Sequence, residues 1–256
     1  MIEITAIILV LITIYLLMGA YLYLFQRKLL YFPVQLDPDF HAEEITLTND
    51  DVRLHGWILN PGKAKAVIYF GGNSELITHR QEYFETVFAD YSVYLINYRG
   101  YGGSGGSPTE AALFSDALVI YDHIRKQHSS ISGYGRSLGS GVTVYLAAMR
   151  PLEQVILLTP YDSIAEVAQR LYPLFPVRHL VKDRFDSASR AEQITTEVLI
   201  ASAELDREIT LQHTLALRQR FTRASVVYQQ IKGAAHNDII DFPEYRALVE
   251  RFIAED

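Results

Sequence analysis

Gly135-Arg136-Ser137-Leu138-Gly139 lies between a short strand-like run at 131–134 and a helix-like stretch at 138–149. A serine in G-x-S-x-G spacing on a strand-to-helix turn can serve as the nucleophile of acyl transfer. The turn is sharp, so side chains two positions before and after the serine would clash, and glycines remove them. The serine oxygen is left exposed at the turn. The Leu138 N–H falls at the helix N-terminus, where unpaired donors and the helix dipole favour an oxyanion. A five-residue match arises by chance, and a plain glycine-rich turn would read alike. The strand before it and the helix after it favour the nucleophile.

A serine nucleophile needs a base, and the base needs an orienting acid. For an elbow serine the chain order is serine, acid, histidine. Of eight histidines, only His236 follows the last strand-like run at 225–231, in Gly233-Ala234-Ala235-His236-Asn237-Asp238. His79, His123 and His213 sit in helix-like stretches and His128 just past one; His41 and His55 come early, and His179 precedes the expected acid. The run at 197–202 leads into Ala203-Glu204-Leu205-Asp206-Arg207, which makes Asp206 the acid unless it merely pairs with Arg207. Asp162, after the run at 154–159, is the second candidate, and Asp238 reads as a cap for the segment after it. A second oxyanion donor should come from Phe70-Gly71-Gly72-Asn73-Ser74-Glu75, at the end of the run at 64–70. Asn73 is the candidate, through its backbone N–H; a plain turn is the alternative.

These residues must be carried by a scaffold of alternating strands and helices. Further strand-like runs lie at 44–48, 53–59 and 92–97, and further helix-like stretches at 75–89, 108–127, 211–221 and 243–254. The runs at 67–70 and 93–96 are continuously apolar, as in parallel strands covered on both faces. The first two runs flank Asn49-Asp50-Asp51 and read as a hairpin. Ser107, Pro108 and Glu110 read as cap, first helical residue and capping-box partner. Gly100-Tyr101-Gly102-Gly103-Ser104-Gly105 matches G-x-G-x-x-G, but its last glycine does not enter the helix. A dinucleotide fingerprint requires that placement, so this reads as a loop beside the site. The expected fold class is α/β, with an antiparallel start and a parallel remainder.

The chain has 256 residues, a formal charge of −7 and no cysteine. Its acidity argues against nucleic acid as a partner. The absence of thiols excludes disulfides, thiolate metal sites and a cysteine nucleophile. Residues 4–25 form 22 positions without a charge, bounded by Glu3 and by Arg27-Lys28, with Tyr21, Tyr23 and Tyr31 near the second boundary. That length suits a hydrocarbon core of about 30 Å, and the tyrosines suit its interface. A buried core helix and a cleaved signal peptide are the alternatives. The start lacks a basic region and the exit is aromatic and basic, so the segment reads as an uncleaved single-pass anchor. The positive-inside rule then places the rest of the chain in the cytoplasm.

Together these motifs resemble the membrane-anchored α/β-hydrolases, a group of alpha/beta-hydrolase domain proteins that includes serine aminopeptidase-like members. The resemblance rests on Leu30-Tyr31-Phe32-Pro33, Gly71-Gly72-Asn73-Ser74, Asn97-Tyr98-Arg99-Gly100-Tyr101-Gly102, Gly106-Ser107-Pro108 and the Ser137 elbow. It extends to Pro160-Tyr161-Asp162-Ser163, to Lys182-Asp183-Arg184-Phe185-Asp186-Ser187, to Asp206 and to the His236 segment. It implies an anchor over 1–28 and an α/β-hydrolase domain over 29–256, with a small helical cap at about 161–196. One departure stands out: the family commonly has His-Gly-Asn where this chain has Gly71-Gly72-Asn73. The donor there is main-chain, so activity is expected to survive the change.

The expected chemistry is hydrolysis of carboxylic esters or thioesters through an acyl-enzyme on Ser137, with His236 as base, Asp206 as acid, and Leu138 and Asn73 as oxyanion donors. No cofactor or metal is called for. The expected substrate is a small-molecule or lipid-like acyl compound, because an anchor lies beside the apolar stretch at 171–177. That stretch either lines an acyl pocket or packs on the core. A peptidase and a catalytically silent membrane-tethered module are the competing classes.

Overall fold

The computed structural model describes residues 2–254. Met1, at the start of the expected anchor, and Glu255 and Asp256, at the end of the expected hydrolase domain, lie outside the described residues. The chain runs α1 (Ile2–Leu30), β1 (Glu43–Asn49), β2 (Val52–Leu59), β3 (Lys65–Phe70), α2 (Gln81–Val87), β4 (Tyr91–Ile96), α3 (Glu110–Ile124) and β5 (Ser130–Arg136). It continues with α4 (Leu138–Met149), β6 (Gln154–Leu158), α5 (Ile164–Leu171), α6 (Val177–Leu180), α7 (Ser187–Ala191), β7 (Glu197–Ala203), α8 (Leu211–Arg218), β8 (Val226–Ile231) and α9 (Pro243–Ala254).

The strands form one sheet in the order β1-β2-β4-β3-β5-β6-β7-β8. β1 and β2 pair antiparallel, β2 pairs antiparallel with β4, and every later pairing is parallel. Asn49 pairs with Val52, leaving a two-residue turn in which Asp50 and Asp51 have φ of 47° and 60°. Left-handed values at both turn residues match the twist of a hairpin. Side chains alternate across the sheet, and both sides are filled. Ile68, Phe70, Tyr94 and Ile96 pack with Leu113, Ala117, Val142 and Leu146 of α3 and α4. Val67, Tyr69, Val93 and Leu95 pack with Phe84, Tyr245, Leu248 and Phe252 of α2 and α9. This two-sided burial is why the runs at 67–70 in β3 and 93–96 in β4 are continuously apolar.

Two helix starts differ from expectation. The stretch at 75–89 becomes a 3₁₀ turn over Ile77–Arg80 followed by α2, because Glu75 is drawn into a buried ion cluster instead of a first helical turn. The cap of α3 is Thr109, not Ser107: its hydroxyl accepts the Ala112 N–H at 3.2 Å. Glu110 sets this start, since its N–H donates to Asp183 and its carboxylate accepts the Arg184 N–H.

β4 leads into the glycine-rich loop, which folds beside the β3 end. Tyr98 OH donates to the Gly71 carbonyl at 2.7 Å, and Tyr101 OH donates to Asn73 Oδ1 at 2.9 Å. Between them Arg99 is locked bidentately on Asp116 of α3, both bonds at 2.7 Å, and Asn49 donates to the same carboxylate. Removing one partner of a buried pair costs about 3–5 kcal/mol. Asp116→Ala should therefore lower unfolding stability by about that amount in urea titration, with an unchanged m-value.

Candidate active site

The site lies where β3 and β5 are neighbours while β4 runs off to the other side of β3. Such switch points leave a crevice at the strand C-terminal ends. The turn from β5 into α4 holds Ser137 at φ 49° and ψ −117°. A strained non-glycine conformation of this kind costs on the order of 1–3 kcal/mol. It persists because its surroundings dictate it: a Cβ at Gly139 would run into the Phe70 carbonyl, and one at Gly135 into Thr143 and the Gly139 carbonyl. The Ser137 N–H is also tied to the Leu158 carbonyl of β6 at 2.9 Å.

The structure brings three of the expected residues into one hydrogen-bonded row. His236 Nε2 is 2.9 Å from Ser137 Oγ, and His236 Nδ1 is 2.7 Å from Asp206 Oδ2. Asp206 also accepts the N–H groups of Glu208 and Ile209 on its other oxygen, at 2.9 and 2.8 Å. These bonds hold the carboxylate facing the ring and away from Arg207. His236 is 5% exposed, so solvent barely competes for its nitrogens. A ring held this way can take a proton from the serine and return it to a leaving group.

The Leu138 N–H opens α4, and neither it nor the Asn73 N–H has an acceptor among the described residues. The Asn73 side chain is occupied elsewhere: it donates to the Leu30 carbonyl at 2.5 Å and accepts from Phe32 N and Tyr101 OH. The loop expected to supply the second oxyanion donor is thus laced to the end of α1. At Gly71 a Cβ would lie 2.7 Å from the Ile77 side chain. The loop is tight at this position, where the family that the sequence resembles commonly has histidine.

Other expected positions take structural duties. Asp162 accepts from His213 Nδ1 at 2.8 Å and does not reach His236. Asp238 does not cap the turn after it; its carboxylate reaches back to the Ala235 N–H at 2.7 Å and closes the His236 loop. His128 is held between Tyr94 OH and the Lys63 carbonyl, and His55 lies against the Gly102 carbonyl.

Three residues near the site went unread in the sequence. Arg136, the residue before the serine, is buried. Its Nη1 meets Glu75 at 3.1 Å, and its Nη2 donates to the Asn237 side chain at 2.7 Å and to the His236 carbonyl at 3.3 Å. Glu75 also accepts the Gly72 N–H at 2.5 Å, Tyr69 OH at 2.9 Å and Arg80 Nε at 3.0 Å. The available signal is an arginine at the end of a strand and next to the serine, where burial demands a carboxylate partner. Glu208 is the third: its exposed carboxylate lies 3.7 Å from His236 Nε2 and gives the mouth a negative charge.

The mostly parallel sheet flanked by helices is the α/β-hydrolase fold. Comparison with known proteins agrees. An uncharacterised protein of Mycobacterium tuberculosis is 31% identical over 251 residues, covering 90% of this chain and 88% of its own. Alpha/beta hydrolase domain-containing protein 17C of Xenopus tropicalis is 29% identical over 205 residues, covering 77% of this chain and 64% of the frog protein. Among solved structures, an esterase of Pyrococcus furiosus, Pf2001, superposes with a TM-score of 0.69 at 17% identity over 88% of this chain and 98% of its own. Est1E of Butyrivibrio proteoclasticus, with ferulic acid bound, has a TM-score of 0.68 at 19% identity over 82% and 98%. No family model matches the chain. The chain has the α/β-hydrolase fold.

The Glu75 cluster carries a pH signature. Burial alone would push its carboxyl up, but Arg136, the Gly72 N–H and Arg80 together hold it below the usual carboxylate range. A lowered folded-state value contributes stability that is complete above the unfolded value, about 4.3, and is lost as pH falls through the folded one. Glu75→Gln should be less stable at pH 7 by about 3–5 kcal/mol, because Arg136 is left unpaired. Urea unfolding at decreasing pH should show the gap between wild type and variant narrowing as Glu75 protonates.

Proposed function

We propose that the protein is a membrane-anchored serine hydrolase that cleaves carboxylic ester or thioester bonds through an acyl-enzyme. The observation that carries this reading is the bridging position of His236, 2.7 Å from Asp206 and 2.9 Å from Ser137. Ser137 Oγ attacks the acyl carbonyl while His236 Nε2 takes its proton. The N–H groups of Leu138 and Asn73 receive the oxyanion, each worth about 2.7–4 kcal/mol if it acts like a measured donor of this kind. The imidazolium, steadied by Asp206, protonates the leaving alcohol or thiol. Water, activated by the same ring, then releases the acid and restores Ser137.

One neighbour in fold, Pf2001, is named an esterase, which favours an ester over a peptide bond. Anchoring is supported by α1, which is long and apolar enough to cross a membrane by length and composition. The basic residues at its end, Arg27 and Lys28, favour a cytoplasmic catalytic domain. A lipid-like or acylated substrate fits this placement. The connection between β6 and β7, with α5, α6 and α7, is proposed as the cap. Its apolar stretch faces α1 instead of Ser137.

A fluorophosphonate probe should label the wild-type protein and leave Ser137→Ala unlabelled. In p-nitrophenyl ester assays kcat should fall by about 10⁴–10⁶-fold in Ser137→Ala and by about 10⁴-fold in Asp206→Asn. A folded Ser137→Ala protein that keeps its esterase activity would refute the assignment. Chain-length dependence across the ester series then measures the acyl site.

A further inference from the structure

α1 is not a free tether. Gly19, Leu22, Gln26 and Leu30 recur at three- and four-residue intervals and are the partly buried positions of an otherwise exposed helix. This face packs along the β6–β7 connection. Tyr15 stacks on Phe175 with ring centroids 4.7 Å apart, and its hydroxyl donates to the Leu174 carbonyl at 3.0 Å. Lower on the helix Gln26 accepts the Lys182 N–H at 2.7 Å, and Arg27 pairs with Asp183 at 2.8 Å. The connection therefore runs alongside α1 from the level of residue 27 to that of residue 15, about 18 Å at 1.5 Å per residue.

If α1 crosses a bilayer with Arg27 and Lys28 at the boundary, Tyr15 lies deep in the hydrocarbon core of about 30 Å. Phe175 and Leu174 lie at the depth of Tyr15. The chemistry of the connection suits that depth. Residues 171–177 carry no charge between Arg170 and Arg178. Leu171 is 56% exposed and Leu174 80% exposed. Irregular backbone is tolerated in hydrocarbon only where its polar groups are met. Here Pro173 and Pro176 have no N–H to satisfy. The Leu174 carbonyl is met by Tyr15, the Phe175 carbonyl by Gln169, and the Phe175 N–H by the Tyr172 carbonyl.

Between helix and connection runs a groove of about 410 Å³, with walls that include Leu16, Leu22, Val167, Leu171, Phe175 and Val177. Its amide and charged residues Gln26, Arg27 and Asp183 lie at the boundary end, and the Tyr15 hydroxyl at the deep end is engaged by the Leu174 carbonyl. Apolar within and polar at the boundary is the order of a membrane amphiphile. The volume falls in the range of about 300–1,000 Å³ usual for ligand sites. We infer that the β6–β7 connection is embedded in the bilayer beside α1 and that the groove between them holds the hydrocarbon tail of a membrane lipid. This rests on the reading of α1 as a membrane span.

The chain has no cysteine, so single cysteines introduced into the full chain can each carry one bimane label. Four sites in nanodiscs of 9,10-dibrominated phosphatidylcholine, compared with unbrominated lipid, test the inference. Leu9→Cys reports the anchor, Leu174→Cys the connection and Ala168→Cys the groove. Met149→Cys, at the far end of α4 from Ser137, is the water-side control. Loss of fluorescence at 9, 174 and 168 but not at 149 is the expected result. Loss at 9 without loss at 174 would leave the anchor standing and overturn the embedding. Loss at 174 without loss at 168 would overturn the lipid tail as the groove's occupant. No loss at 9 would overturn the anchor and the inference together. Leu171→Cys, exposed on the same groove, replaces Ala168→Cys if the labelled protein fails to show native near-ultraviolet circular dichroism.

Discussion

A guanidinium taken out of water must be met by acceptors, and Arg136 is met from two loops far apart in the chain. It sits at the end of β5, immediately before Ser137, so the strand that aims the serine also places the charge. On one side it pairs with Glu75, which holds the Gly72 N–H and thereby the loop that carries Asn73. On the other it grips Asn237 and the His236 carbonyl. The segments bearing Ser137, His236 and Asn73 are all referenced to one planar side chain. Arginine suits this use because its donors are fixed in a plane and its charge persists at any working pH.

The same economy of contacts ties α1 to the catalytic face. The Leu30 carbonyl accepts from Asn73, and the Phe32 N–H donates to the same side chain. Asp183 binds both Arg27 of the helix and the first N–H of α3. α1, the β6–β7 connection and the loop that carries Asn73 therefore meet as packed and hydrogen-bonded surfaces instead of being strung on a linker. A substrate rising from a bilayer along α1 would arrive close to the loop proposed to receive its carbonyl oxygen.

Much of this was legible in the sequence because it depends on local rules. Continuous apolar runs marked the strands, and glycines two places either side of Ser137 marked a turn with no room for side chains. His236 and Asp206 came from chain order. Where long-range contacts overrode local propensity, the reading slipped. Glu75 begins a good helical stretch but is claimed by Arg136, so the helix starts later. Ser107 and Pro108 have the pattern of a helix start, yet Asp183 and Arg184 fix it at Glu110. Asp238 has the type of a cap and spends its carboxylate on the Ala235 N–H.

The sequence by itself determined the fold class, the apolar helix and the identities of Ser137, Asp206 and His236 as candidates, since periodicity, glycine spacing and chain order are properties of neighbouring residues. Only the tertiary structure decided how they meet. The Arg136–Glu75 pair joins residues 61 positions apart, and the Tyr15–Leu174 contact joins residues 159 apart. No local pattern records such partners, because burial and charge are satisfied by whatever the completed fold brings near.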